Sequence, residues 1–289
     1  MSFFEKELEE RTQGRIQVEN YFSAVLGNER ESMDMVATGA LQGTRGGFFA
    51  DASPRYNILL LPFLVEDWDQ LLRLINSDFV DEINRGARVN GFHVPACGVS
   101  QGFRNHTNSV RPIQEPDDFK GLKMRVPAQE PLIITTQVLG ANPQEIPFVE
   151  LSQAVKTGVI DGQDNSMSNI WDTKVYEVQK YLTISNYSTG PDPLVVNLAW
   201  YESLPTDLQN TFDEVAREAI AYSDRMNRES EELYTNKLSE VLEAHTITGE
   251  SLTRFQEKAQ EVYEYFVEKG DFTWDEIEAA RRAAQGGDN

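Results

Sequence analysis

Apolar positions recur along this chain at two spacings, and the spacing switches repeatedly. In "LKMRV", Leu122, Met124 and Val126 alternate with Lys123 and Arg125, which predicts a strand with one polar face. "PLIITTQVLG" then predicts a helix ending at Gly140, "QEIPF" a short strand and "VELSQAVKTG" a helix ending at Gly158. "VIDGQDN" reads as a strand running into a turn at Asp161 and Gly162, with Gln163, Asp164 and Asn165 emerging at the strand end. The first third follows the same logic. Residues 3–12 look helical, and "GRIQVENYF" alternates as a strand. "GNERESMDMVATG" is a helix with explicit punctuation: Asn28 caps it, Glu31 closes a capping box and Gly39 ends it. "ILLLPFL" suits a short buried strand, and "GFHVPACGVS" alternates again. Between them, "EDWDQLLRLINSDFVDEINRG" is amphipathic, with Trp68, Leu71, Leu72, Ile75, Phe79 and Ile83 on one face. "DPLVVNLAW" is a late strand. The residues from Leu204 to His245 read as one helix of about 35–40 residues, against a mean of about 11–12. The tail is helical and charged. Alternating strands and helices predict an α/β architecture with mainly parallel strands. No tandem repeat or hydrophilic linker separates independent domains, so a two-lobed chain would cross between its lobes more than once.

Composition narrows the function classes. The 289 residues include 47 Asp and Glu against 26 Lys and Arg, a formal charge of −21. Such a balance argues against nucleic acid, whose binders neutralise phosphates with clustered cations. It says little about a small ligand, because one buried arginine acts against the global sign. No apolar run reaches the roughly 18 residues a membrane-spanning helix needs. The single cysteine, Cys97, allows no intramolecular disulfide and sits in an apolar segment as an inert thiol.

Catalytic constellations are not evident. The sequence has no GxSxG elbow, no phosphate-binding P-loop and no HExxH. His93, His106 and His245 lie far apart and read as ordinary surface or core residues, with no metal spacing and no cofactor motif. The informative stretch is 104–165. Arg104 follows the strand of "GFHVPACGVS", Arg125 sits in the next strand, and Phe148 and Asn165 follow. Ligands of open α/β sheets bind at the carboxyl ends of strands. An arginine fork matches a carboxylate in bidentate fashion. By pattern alone, Arg125 reads either as an anion-binding group or as a surface arginine paired with an acidic neighbour.

The ordered set "PDDFKGLKMRVP", "LGANPQEIPFVELSQAVKTGVIDGQDN", "YEVQKYLTISNYS" and "AWYESLPTDLQ" resembles the DctP-like periplasmic solute-binding subunits of tripartite ATP-independent periplasmic (TRAP) transporters. The likeness covers nearly the whole chain. It implies a two-lobed periplasmic-binding-protein-like fold with a long helix crossing both lobes, here residues 1–102 plus 191–230 and residues 103–190 plus 231–289. It implies a binding subunit, not an enzyme, that delivers a small organic carboxylate to membrane permease subunits from the periplasm. Arg125 matches the family arginine that salt-bridges the carboxylate, Asn165 the asparagine of the "DGQ(D/E)N" turn, Phe148 the aromatic packed on the ligand and Arg104 a second polar contact. Arg45, Phe48 and Phe49 fall where the first lobe faces the ligand. Arg45 is either a second carboxylate partner or a solvated loop residue. Trp171 either stacks on the ligand or packs at the hinge.

Two departures stand out. The sequence begins inside the family's first helix, without the leader and first strand, so a truncated start is expected. A cytoplasmic carboxylate sensor is the alternative, and an enzyme of carboxylate metabolism a more distant one. The turn reads "DGQDNS" where the family has "DGQENP", which keeps the acid and loses a proline.

Overall fold

The computed structural model describes residues 2–46 and 49–287. Its elements in chain order are α1 (Ser2–Arg11), α2 (Glu29–Thr38), β1 (Gly43–Arg45), α3 (Trp68–Ile75), α4 (Asp78–Gly86), β2 (Phe92–His93) and β3 (Cys97–Asn108). Next come β4 (Lys123–Val126), α5 (Glu130–Val138), β5 (Asn142–Glu145), α6 (Leu151–Lys156), β6 (Gly162–Asn165), α7 (Met167–Asp172) and β7 (Tyr181–Asn197). The chain finishes with α8 (Leu198–Ser203), α9 (Thr206–Val241), β8 (Glu243–Thr246), α10 (Gly249–Lys269) and α11 (Trp274–Gln285).

The sheet order is β1-β7-β3-β6-β4-β5, with β2 and β8 also pairing to β7. β4 runs parallel to both β5 and β6, and β7 runs parallel to β8. The longest pairing, β3 with β7, is antiparallel, as are β3 with β6 and β7 with β1 and β2. The sheet is therefore mixed rather than mainly parallel. Short strands joined by helices produce the parallel part, but the two strands that run its length are long enough to pair directly.

These two strands change register part-way. Cys97–Val99 face Pro191–Pro193, Phe103 and Arg104 face Thr189 and Ser188, and His106–Asn108 face Tyr181–Thr183. At the shifts, Gln101, Gly102 and Asn186 have positive φ (60°, 100° and 46°). This left-handed backbone bends a strand where a bulge is needed. Helix α9, 36 residues long, spans both sides of the shift. Its first half packs on α1 through Phe212 against Phe4 and Glu218 against Arg11. Its second half packs on α7, with Lys237 over Trp171. At that length it extends about 54 Å.

Four apolar cores follow this plan. The largest gathers α3, α4, the Pro54–Leu60 turn and α11. The second joins α1 to the first half of α9, and the third joins α6 and α7 to its end. A fourth lies among Met124, Phe119, Leu139 and Phe255. The tail divides: α10 packs on α5, whereas α11 packs on α3 and α4.

Several local expectations are corrected. "GRIQVENYF" forms no strand. Ile16 and Val18 do turn inward, onto α1 and α9, but Val18 N–H donates to Glu9 Oε1 (3.0 Å) and Asn20 Nδ2 to Glu5 Oε2 (2.7 Å). Side chains of α1 thus occupy the backbone where a ladder would. "ILLLPFL" lies in and after a 3-10 helix that opens at Pro54, with Ile58, Leu59 and Leu60 all buried. A short all-apolar run fits a buried helix turn as well as a strand. The amphipathic helix is two: Asn76 ends α3 and Ser77 caps α4. "QEIPF" is shifted, since β5 stops at Glu145.

Candidate functional site

The "DGQDN" segment is itself a strand, not a turn. It is β6, flanked by β3 on one side and β4 on the other, and all four of its residues are buried. Gly162 is required there, because a Cβ would collide with the Thr107 carbonyl and sit 2.7 Å from Asn108 Cβ. Within β6 the side chains alternate between two faces.

On one face Asp164 meets Arg104 and Tyr187. Arg104 lies inside β3 rather than past it. Its Nε donates to Asp164 Oδ2, and its Nη2 donates to the Asp164 carbonyl (2.9 Å). Tyr187 Oη donates to the same Oδ2 (2.6 Å). Burial pushes the Asp164 carboxyl up, but the Arg104 charge and these hydrogen bonds outweigh it, and its pKa ends below the usual value. Burial likewise works against the Arg104 cation, and Asp164 overcomes it. His106 stacks on Tyr187 at 4.6 Å, and burial lowers it to about 4, so it is neutral. Arg104 and Asp164 form a buried, neutralised pair.

On the other face runs a chain of amides. Gln163 Nε2 donates to Thr107 Oγ1 (2.9 Å), Asn165 Nδ2 donates to Gln163 Oε1 (3.2 Å), and Asn169 Nδ2 donates to Asn165 Oδ1 (2.9 Å). These contacts fix the Asn165 amide at the carboxyl end of β6.

Arg125 is the residue next to last in β4, directly beside Gln144 of β5 and Gln163 of β6. It is 2% exposed, so the surface ion-pair reading fails. Its Nε donates to the Ile146 carbonyl (2.8 Å), just past the end of β5. No carboxylate among the described residues lies within ion-pair distance of it. Burial lowers its pKa from the usual arginine value to about 10; the charges of Asp164 and Glu29 act in the opposite sense. The carboxyl ends of three neighbouring strands thus present one desolvated guanidinium, one fixed amide and, beyond β5, the half-buried Phe148. A desolvated guanidinium beside a fixed amide has the chemistry to pair with a small anion.

The family model for bacterial extracellular solute-binding proteins, family 7 (DctP), matches residues 1–270. The chain belongs to this family. It is 31% identical over 293 residues to the C4-dicarboxylate-binding periplasmic protein DctP of Vibrio cholerae, covering 98% of this chain and 85% of that one. It is 30% identical over 236 residues to the 2,3-diketo-L-gulonate-binding periplasmic protein YiaO of Escherichia coli, covering 81% and 72%. The crystal structure of a TRAP periplasmic solute-binding protein of Shewanella oneidensis with bound succinate superposes with a TM-score of 0.91 at 25% identity, over 98% of this chain and 93% of that one. The two-lobed binding-protein architecture, with its long crossing helix, is that of this family.

In this DctP-family chain the remaining sequence candidates disperse. Phe148 packs at the edge of the third core, beside the end of β5. Trp171 stacks on Tyr176 at 4.7 Å with Lys237 above it, which is packing between α7 and α9. Phe49 is 3% exposed and packs edge-on against Tyr56 in the largest core, so it is a core residue. Arg45 is no solvated loop residue: its Nε lies 2.8 Å from Asp192 Oδ2 and its Nη2 donates to Ser223 of α9 (3.1 Å). Phe48 lies outside the described residues. Asp164 was visible in the sequence only as a polar side chain at the strand end, and Tyr187, Thr107 and Asn169 were not visible as site partners. The alternation of Gln163, Asp164 and Asn165 was the one available sign, and only a strand assignment gives it meaning.

Proposed function

We propose that this protein is the extracytoplasmic receptor subunit of a TRAP transporter, and that it captures a small organic carboxylate and delivers it to a membrane permease. It binds and releases without covalent chemistry. The observation that carries this reading is Arg125, buried at the carboxyl ends of β4–β6 with no acidic partner at ion-pair distance among the described residues. A buried cation is costly unless an anion pairs with it, and a carboxylate fits the guanidinium edge in bidentate fashion. Asn165 supplies a fixed amide beside that carboxylate, and Phe148 supplies apolar contact. The names of two relatives support the substrate class: one binds a sugar-derived acid and the other a dicarboxylate.

In this reading the ligand docks on the Arg125 side, and the lobes close about the register shifts of β3 and β7, with α9 bending across them. Lobe I comprises residues 1–102 and 191–230, and lobe II residues 103–190 and 231–289, with α11 of the second packing back on α3 and α4.

A thermal-shift screen against small acids tests the proposal, with wild type beside Arg125→Ala. Ligand that binds only the folded state raises the melting temperature by mass action. The expected result is a set of acids that stabilise wild type and leave the variant unmoved. Equal stabilisation of both proteins would sink the Arg125 salt bridge.

A further inference from the structure

The amide chain beside Arg125 runs in one direction. Arg125 of β4 registers with Gln163 of β6, and Gln163 registers with Thr107 of β3, so these three side chains share a face of the sheet. Asn165, two residues along β6, stands on the same face at the carboxyl end. Asn169 Nδ2 donates to Asn165 Oδ1 (2.9 Å), Asn165 Nδ2 to Gln163 Oε1 (3.2 Å), and Gln163 Nε2 to Thr107 Oγ1 (2.9 Å). Every donor points from α7 toward β3. Turning over one amide alone would set oxygen against oxygen on one side and N–H against N–H on the other. Thr107, Gln163 and Asn165 are all 3% exposed or less, so solvent does not make up such a mismatch. The amides therefore keep one sense or reverse together. At the β3 end the Thr107 hydroxyl can accept or donate, so it does not choose the sense. The choice falls to Asn169. Its place is fixed by the first turn of α7: the Ser166 hydroxyl accepts from Asn169 N–H (3.4 Å), and the Asn169 carbonyl accepts from Thr173 Oγ1 (2.6 Å).

Resting on the carboxylate-receptor reading above, we propose that Asn169 is a positioning residue for the ligand. By holding Asn165 Oδ1 it keeps the Asn165 amide nitrogen turned toward the Arg125 side, so that Asn165 meets the ligand as a hydrogen-bond donor. An amide nitrogen carries two N–H groups, and Gln163 takes one; the other is offered beside the guanidinium. Carboxylate oxygens only accept, so a donor beside a cation is what an anion needs, and a reversed amide would place a carbonyl oxygen there instead. Asn169 itself does not touch the ligand; it acts through Asn165.

Titration calorimetry in a double-mutant cycle tests this, with succinate, D-gluconate and D-galacturonate as probes and Arg125→Ala as control. Asn169→Ala should weaken binding of the tightest of the three roughly three- to tenfold in the wild-type background. It should leave binding unchanged in an Asn165→Ala background, because the residue it acts through is gone. A residue that merely holds α7 in place would cost the same in both. Asn169→Asp keeps the shape of the side chain but can only accept, so it should reverse the chain and weaken binding more than Asn169→Ala does. That loss should shrink beside Asn165→Ala, where only the added charge acts. Equal losses in both backgrounds, or Asn169→Ala binding as wild type does, would overturn the positioning role while leaving an Arg125-dependent receptor standing. If none of the three acids binds wild type, or Arg125→Ala binds them as wild type does, the receptor reading falls and the positioning role falls with it.

Discussion

Arg125 carries its charge to a position only 2% exposed. Burial lowers its pKa to about 10, and with one pKa unit equal to about 1.36 kcal/mol the ligand-free protein bears a penalty on the order of 3 kcal/mol. The sign is fixed: the folded state disfavours the protonated form, so the penalty is present at all pH values below about 10 and an anionic ligand relieves it. Replacing Arg125 by Met removes the charge and keeps the bulk. Differential scanning calorimetry of ligand-free Arg125→Met should show a melting temperature about 5 °C above wild type, with ligand-induced stabilisation gone. A lower melting temperature would mean that the guanidinium is structural. At this scale the sequence was partly legible. Arg125 and Asn165 stood out from the family likeness and lie on adjacent strands. Arg104 and Arg45 looked equivalent to Arg125, because their neutralising partners are 60 and 147 positions away and nothing local announces them.

At the scale of elements, α9 is held against the register shift by buried acids. Asp224 accepts from Val99 N–H (2.8 Å) while burial raises it to about 6. Glu231 accepts from Trp68 Nε1 of α3, and burial raises it to about 7. Gly98 and Gly102 permit this close approach; a Cβ on Gly98 would sit 2.7 Å from Ile220 Cγ2. An acid with a raised folded pKa keeps its proton longer in the folded state. Its contribution is therefore full below the unfolded pKa and is lost as pH rises through the folded value. Thermal melts should show stability falling between about pH 4 and 7, and Glu231→Gln should flatten that fall; an unchanged slope would remove Glu231 from this role. The elements themselves were read unevenly. Helix α9 and the capped helix α2 were clear, because length, Asn28, Glu31 and Gly39 are local signals. β6 was taken for a turn because Asp161 and Gly162 carry turn chemistry, whereas pairing on both sides decides the matter. The strand expected over "GRIQVENYF" failed for the converse reason, since its backbone bonds to Glu9 instead of a neighbouring strand.

For the whole molecule, a formal charge of −21 surrounds the proposed anion site. The global field repels the ligand at long range, and the local guanidinium attracts it at short range. Screening weakens the first more than the second, because buried charges are screened far less than exposed ones. The association rate of an acid, followed by stopped-flow tryptophan fluorescence, should therefore rise with added salt. A rate that falls with salt would point instead to a positively charged entrance.

The central claim is that Arg125, and neither Arg104 nor Arg45, receives the carboxylate. A crystal structure of the protein grown with an acid chosen by the thermal-shift screen tests it most directly. The account predicts both carboxylate oxygens within about 3 Å of the Arg125 guanidinium nitrogens, with Asn165 beside them and the Arg104–Asp164 and Arg45–Asp192 pairs intact. A carboxylate seated on Arg104 or Arg45, with its aspartate displaced and Arg125 left unpaired, would contradict it.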